Sequence, residues 1–70
     1  MIDNEIRKRL NEEIRSCGKS LKQIANEVGI SPAMLTEYKT RNKMPSLETF
    51  AKLCKVIDAS ADYILGLSDF

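Results

Sequence analysis

The chain has 70 residues, of which 43% are hydrophobic, 30% are charged and none is histidine, and its formal net charge is +1. This length suits one domain over residues 1–70, with no apolar run near the roughly 20 residues that span a bilayer and no signal-peptide pattern. Without histidine, Ser–His and Cys–His catalysis is excluded, and Cys17 and Cys54 alone cannot form a zinc site. We therefore expect a cytoplasmic protein with no cofactor, no metal, no membrane contact and no enzymatic activity.

The first predicted helix covers residues 3–16, and Gly18 is suited to end it in the left-handed conformation. Apolar residues recur along this helix at intervals of three or four, which is the spacing of a single buried face. That face is predicted to consist of Ile6, Leu10, Ile14 and Cys17. The remaining positions are mostly charged, as expected for the solvent side of an amphipathic helix.

The second predicted helix covers residues 20–28 and begins at a capping box. The Ser20 hydroxyl and the Gln23 amide are spaced so that each satisfies a backbone N–H of the other residue, and Gly29 supplies the helix end. The apolar residues follow the i, i+3, i+4, i+7 pattern of one inner face. They are Leu21, Ile24, Ala25 and Val28.

The third predicted helix covers residues 31–40 and follows almost immediately. Ser31 is its N-cap, and Pro32 occupies the first helical position, where the missing N–H has no cost. Ile30 and Leu35 have the spacing of a hydrophobic staple. Two helices joined by a short turn that contains glycine form a helix-turn-helix arrangement.

Two further helices are predicted after the loop that ends at Pro45. Ser46 caps the fourth helix and Ser60 caps a short fifth helix that ends at Gly66. The predicted inner face of the fourth helix is Leu47, Phe50, Ala51, Cys54 and Ile57. No segment shows the alternating pattern of a strand, so the sequence predicts an all-α domain of five helices around one core.

This order of features resembles the Cro/CI-type (XRE-like) helix-turn-helix family of phage and bacterial transcriptional regulators. The resemblance covers about residues 4–67. It is carried by Ser20-Leu21-Lys22-Gln23-Ile24-Ala25, Val28-Gly29-Ile30-Ser31, Leu35-x-x-Tyr38, Pro45-Ser46-Leu47-Glu48-Thr49, Leu53-Cys54 and Asp62-Tyr63-Ile64-Leu65-Gly66. It implies a compact, five-helix, lambda-repressor-like domain. It also implies a sequence-specific DNA-binding regulator, usually a repressor, that binds double-stranded DNA as a homodimer.

Base-reading residues are expected on the recognition helix, residues 31–40. The resemblance points to its first two residues and its sixth, which are Pro32, Ala33 and Glu37. Helical geometry gives an independent prediction. If Leu35 and Tyr38 face the core, the turn of about 100° per residue determines which residues of the helix face outward. The outward face is predicted to contain Ala33, Thr36, Glu37 and Thr40. These side chains offer few hydrogen bonds to bases, so we expect modest direct readout and some dependence on DNA shape.

Phosphate contacts are expected from the flanks of this helix, because residues 15–43 carry six Lys or Arg against two Glu. The remaining residues are net acidic, so the basic excess is concentrated around the predicted helix-turn-helix. The predicted phosphate contacts are Lys19, Ser20, Lys22, Ser31, Lys39, Arg41, Asn42 and Lys43.

The end of the chain is more apolar than a surface tail needs to be. Leu65, Leu67 and Phe70 are expected either to form a dimer interface, as the resemblance suggests, or to fold back and complete the core. The alternative function is a protein-interaction module of the same fold, an antitoxin or antirepressor-like partner that uses the nearly uncharged third helix to bind protein. No small-molecule effector site is evident.

Overall fold

A computed structural model describes residues 2–40 and 43–69, and these form five α-helices with no strand among them. The helices are α1 (Ile2–Ser16), α2 (Leu21–Val28), α3 (Pro32–Thr40), α4 (Leu47–Val56) and α5 (Ala61–Leu65). The predicted all-α, five-helix class is confirmed. None of the helices in the described ranges is both long and apolar enough to cross a membrane.

The starts of α2 to α5 are set by serine side chains, as predicted. In each case the serine Oγ accepts a hydrogen bond from the backbone N–H three residues later: Ser20 from Gln23, Ser31 from Met34, Ser46 from Thr49 and Ser60 from Tyr63. One half of the predicted capping box is wrong, because the Gln23 amide is near the Glu27 carboxylate, whose pKa it lowers. That partner lies one turn further along α2, within easy reach of a long amide side chain.

The core draws buried residues from every helix. It consists of Leu10, Ile14, Ile24, Ala25, Val28, Leu35, Tyr38, Leu53, Ile57 and Ile64. The predicted inner face of α1 is confirmed, with Ile6 and Cys17 half-buried at its two ends. On α2 the prediction holds except for Leu21, which is 41% exposed.

The predicted inner face of α4 is confirmed for Phe50, Cys54 and Ile57 and is wrong for Leu47 and Ala51. Leu53 is fully buried, whereas Leu47 is 86% exposed and Ala51 is also exposed. Apolar residues are so frequent between positions 47 and 57 that more than one stripe can be drawn along this helix. Packing of α4 against α2 selects the stripe that passes through Leu53 and Ile57.

The helix α5 is held against α1 by an arginine. Arg9 Nε donates a hydrogen bond of 2.9 Å to the backbone carbonyl of Ile64. A Cβ atom built on Gly66 would lie 2.8 Å from Arg9 Nη2, and Gly66 has a φ of +80°. Glycine is therefore favoured there by the backbone conformation, and a Cβ atom would also displace the flexible end of Arg9.

Both cysteines are free thiols and are half-buried rather than fully buried. Burial raises the pKa of the Cys54 thiol. The Cys17 thiol donates to the backbone carbonyl of Ile14 across 3.2 Å. Each sulfur therefore acts as a small packing group at the margin of the core.

Candidate nucleic-acid interface

The turn between α2 and α3 fixes the relative placement of the two helices. The backbone N–H groups of Gly29 and Ile30 both donate to the carbonyl of Ala25, at 2.8 and 3.0 Å. Gly29 has a φ of +90°, which glycine adopts without steric cost. Ile30 is half-buried and packs against the core, which anchors the turn to the rest of the domain. This is the helix-turn-helix arrangement expected from the sequence.

The helix α3 presents one face to the core and the opposite face to solvent. Leu35 and Tyr38 are buried, as predicted. Four of the five predicted base-reading residues line one shallow depression on the outward face: Ala33, Thr36, Glu37 and Thr40. The fifth, Pro32, is exposed and borders a neighbouring groove towards α2. The structure thus brings the predicted residues together, while their contact with bases stays a prediction.

Hydrogen bonds within α3 occupy most of the polar groups on this face. Thr36 Oγ1 donates to the carbonyl of Pro32 at 3.3 Å, and Thr40 Oγ1 donates to that of Thr36 at 2.9 Å. Glu37 Oε2 lies 3.3 Å from the ammonium of Lys43, which follows α3 in the loop. A carboxylate–ammonium pair is therefore the charged feature of the depression.

A second groove lies where α2 begins and α3 starts. It is lined by Ser20, Lys22, Gln23, Asn26, Ile30 and Pro32. Gln23 and Asn26 were missed as candidate contacts by the sequence reasoning, although both are exposed amides beside Lys22. The signal was available, since positions 22, 23 and 26 are spaced as neighbours on one side of a helix.

Apart from Lys19, the predicted phosphate contacts fall into three groups. Lys22, Lys39 and Lys43 are exposed cations near α3. The hydroxyl oxygens of Ser20 and Ser31 already accept helix-capping hydrogen bonds. Arg41 and Asn42 lie outside the described residues.

Lys19 has a different environment from the other cations. Its ammonium donates to Glu27 Oε1 and to the backbone carbonyl of Val56, each at 3.0 Å. Hydrogen bonds from Lys19 and Gln23 lower the pKa of the Glu27 carboxyl. Lys19 therefore joins the ends of α2 and α4, and of the predicted phosphate contacts it is the one that this geometry favours least.

An apolar surface is formed by α1, the segment before α4, α4 and the end of α5. Its groove is lined by Ile6, Leu10, Met44, Pro45, Leu47, Phe50 and Leu65. Of the predicted dimer residues, Leu65 is half-buried in this groove, Leu67 is 74% exposed, and Phe70 lies outside the described residues. Leu67 thus does not fold back to complete the core.

The known proteins that resemble this chain agree with the helix-turn-helix arrangement of residues 20–40. The model of the helix-turn-helix family matches residues 6–64. An uncharacterized HTH-type transcriptional regulator of Bacillus subtilis, YobD, is 36% identical over 50 residues, covering 71% of this chain and 45% of that protein. The cryptic phage CTXphi transcriptional repressor RstR of Vibrio cholerae is 27% identical over 62 residues, covering 89% and 55%. The chain spans about half the length of these relatives, and no solved structure matches it significantly.

Proposed function

The chain belongs to the helix-turn-helix family, and we propose that it binds double-stranded DNA sequence-specifically and acts as a transcriptional repressor. The observation that carries this proposal is the outward face of α3, which is exposed while its opposite face is anchored in the core. The repressor role is supported by the name of the Vibrio cholerae relative. Family membership also supports the expectation that the chain is not an enzyme.

In this proposal α3 lies in the major groove, which is wide enough to admit an α-helix. The methyl groups of Ala33 and Thr36 then contact thymine methyls. Lys22 at the start of α2 and Lys39 in the last turn of α3 lie on the flanks, where they bind phosphates on the two sides of the groove. The unbonded N–H groups that open α2 add a favourable field for a phosphate.

We further propose that the functional unit is a homodimer. Support comes from Leu67, which is 74% exposed and follows by two residues Leu65, one of the residues that line an almost wholly apolar groove. An isologous pair of chains would bury this surface twice. Two recognition helices would then read half-sites about 34 Å apart, one turn of the duplex.

A protein-interaction module is the second candidate function. Met34 is 37% exposed on α3 beside Ala33, which gives the helix an apolar strip suited to a protein partner. Such a module would use the same fold and would have no preference among DNA sequences. The two candidates therefore differ in a directly measurable property.

Selection of bound duplexes from a random-sequence library tests the proposed function. We expect the wild-type chain to enrich one motif made of two inverted half-sites, with centres about 10 base pairs apart, as a two-fold dimer requires. A single half-site would contradict the dimer and leave the DNA-binding role in place. A library that stays random after several rounds would favour the protein-interaction module.

A further inference from the structure

Lys43, one of the predicted phosphate contacts, pairs with a side chain of α3. Although it lies three residues beyond α3, its Nζ approaches Glu37 Oε2 to 3.3 Å. Glu37 is one of the four residues that line the depression on the outward face of α3. The ammonium group is thereby placed at the edge of the surface that the proposed function assigns to base reading.

The rest of the depression offers little to the polar edge of a base. The hydroxyl protons of Thr36 and Thr40 are donated to backbone carbonyls within α3, and Ala33 presents a methyl group. The carboxylate of Glu37 and the ammonium of Lys43 are thus an acceptor and a donor side by side. Their side chains are 32% and 61% exposed, so both remain accessible to a ligand.

One base pair presents the complementary arrangement in the major groove. Cytosine offers the N4 amino donor, and guanine offers O6 and N7 as acceptors. Cytosine N4 and guanine O6 are hydrogen-bonded to each other at about 2.9 Å, close to the separation of the protein groups. Resting on the proposed function, we propose that Glu37 and Lys43 together read one cytosine–guanine pair. Glu37 accepts from cytosine N4, and Lys43 donates to guanine O6 and N7.

An adenine–thymine pair fits this arrangement less well. It also places a donor, adenine N6, beside an acceptor, thymine O4. Adenine N7, however, would then face the Glu37 carboxylate, and two acceptors repel each other. The thymine methyl group would crowd Lys43 beside O4. The pair of side chains therefore discriminates by repulsion as well as by attraction.

The ion pair with Lys43 also offsets the repulsion between the Glu37 carboxylate and DNA. An unpaired Glu37 would face the phosphates of both strands, and like charges at an interface oppose binding. An ion pair this exposed adds little to folding stability. The ion pair therefore contributes more free energy in the complex with DNA, where water is excluded and the base edge completes the hydrogen bonds of both side chains.

Random-library selection with two variants tests this assignment. In the wild-type motif we expect one cytosine–guanine position per half-site at which substitution weakens binding roughly 5- to 150-fold. Lys43→Met removes the donor to guanine and leaves Glu37 unpaired, so it is expected to weaken binding overall and to reduce the preference at that position alone. Glu37→Gln is expected to shift the same position to adenine, because glutamine pairs with adenine N6 and N7.

Lys22→Met is the matched control, since it removes an exposed lysine near the other end of α3. It is expected to lower the affinity for all DNA sequences equally and to leave the selected motif unchanged. If Lys43→Met behaves in the same way, Lys43 is a phosphate contact and the assignment is overturned. If the wild-type chain enriches no motif, the proposed function fails and this assignment fails with it.

Discussion

An Ala33→Glu variant is expected to lose duplex affinity by about 100-fold or more while it folds as the wild-type chain does. Ala33 is exposed in the first turn of α3 and lines the depression proposed to face the bases. A carboxylate there would meet the electronegative groove and the phosphates, and opposing like charges at an interface costs several kcal/mol. Each 1.4 kcal/mol corresponds to a factor of ten in affinity.

The fold of this variant should be unimpaired, because glutamate is a good helix former and a negative charge in the first turn complements the helix dipole. The matched control is Ala51→Glu, the same chemical change at an exposed position on α4. It should lower affinity only slightly, through net charge. Fluorescence anisotropy with the selected duplex gives the affinities, and thermal melting checks the fold. Equal losses in the two variants would remove α3 from the interface.

Leu53→Ala is expected to lower the free energy of unfolding by about 2–5 kcal/mol, because a fully buried leucine leaves a cavity when truncated. A domain of this size has a total stability of only several kcal/mol. The melting temperature should therefore fall by at least about 10 °C, and part of the population should be unfolded at room temperature.

Leu47→Ala makes the same change on the same helix at a side chain that is 86% exposed. In the monomeric chain, at low protein concentration, it should alter the free energy of unfolding by no more than about 0.5 kcal/mol. Urea unfolding followed by circular dichroism compares the two variants. A larger loss in Leu47→Ala than in Leu53→Ala would mean that α4 packs on the stripe first inferred from the sequence.

The features that sequence reasoning predicted correctly are those encoded within a few residues. A serine cap requires only a hydroxyl three positions before a backbone N–H, and the glycine that ends α2 requires only a positive φ. The stripe of α1 was also predictable, because this helix offers one clear apolar face, and Leu35 of α3 was indicated by its staple spacing from Ile30. These local signals were enough to place the outward face of α3.

The features that were missed depend on contacts between segments. The phase of α4 is decided by α2, which the periodicity of α4 itself does not contain. Lys19 donates a hydrogen bond to the carbonyl of Val56, which is 37 residues away in the chain, and no local sequence pattern predicts that contact. Lys43 pairs with Glu37, six positions earlier in the chain, so the charge of Lys43 was predictable and the direction of its side chain was not.

The salt dependence of binding to a random-sequence duplex tests most directly whether this chain holds DNA through the flanks of α3. Affinity should fall steeply with salt, and a Lys22→Ala/Lys39→Ala variant should show a log–log slope smaller by about 1.8, or about 0.9 for each lost phosphate contact. A Lys8→Ala/Lys55→Ala variant removes the same charge from exposed positions on α1 and α4 and should keep the wild-type slope. Absent or salt-independent binding, or equal slopes in the two double variants, would contradict the account.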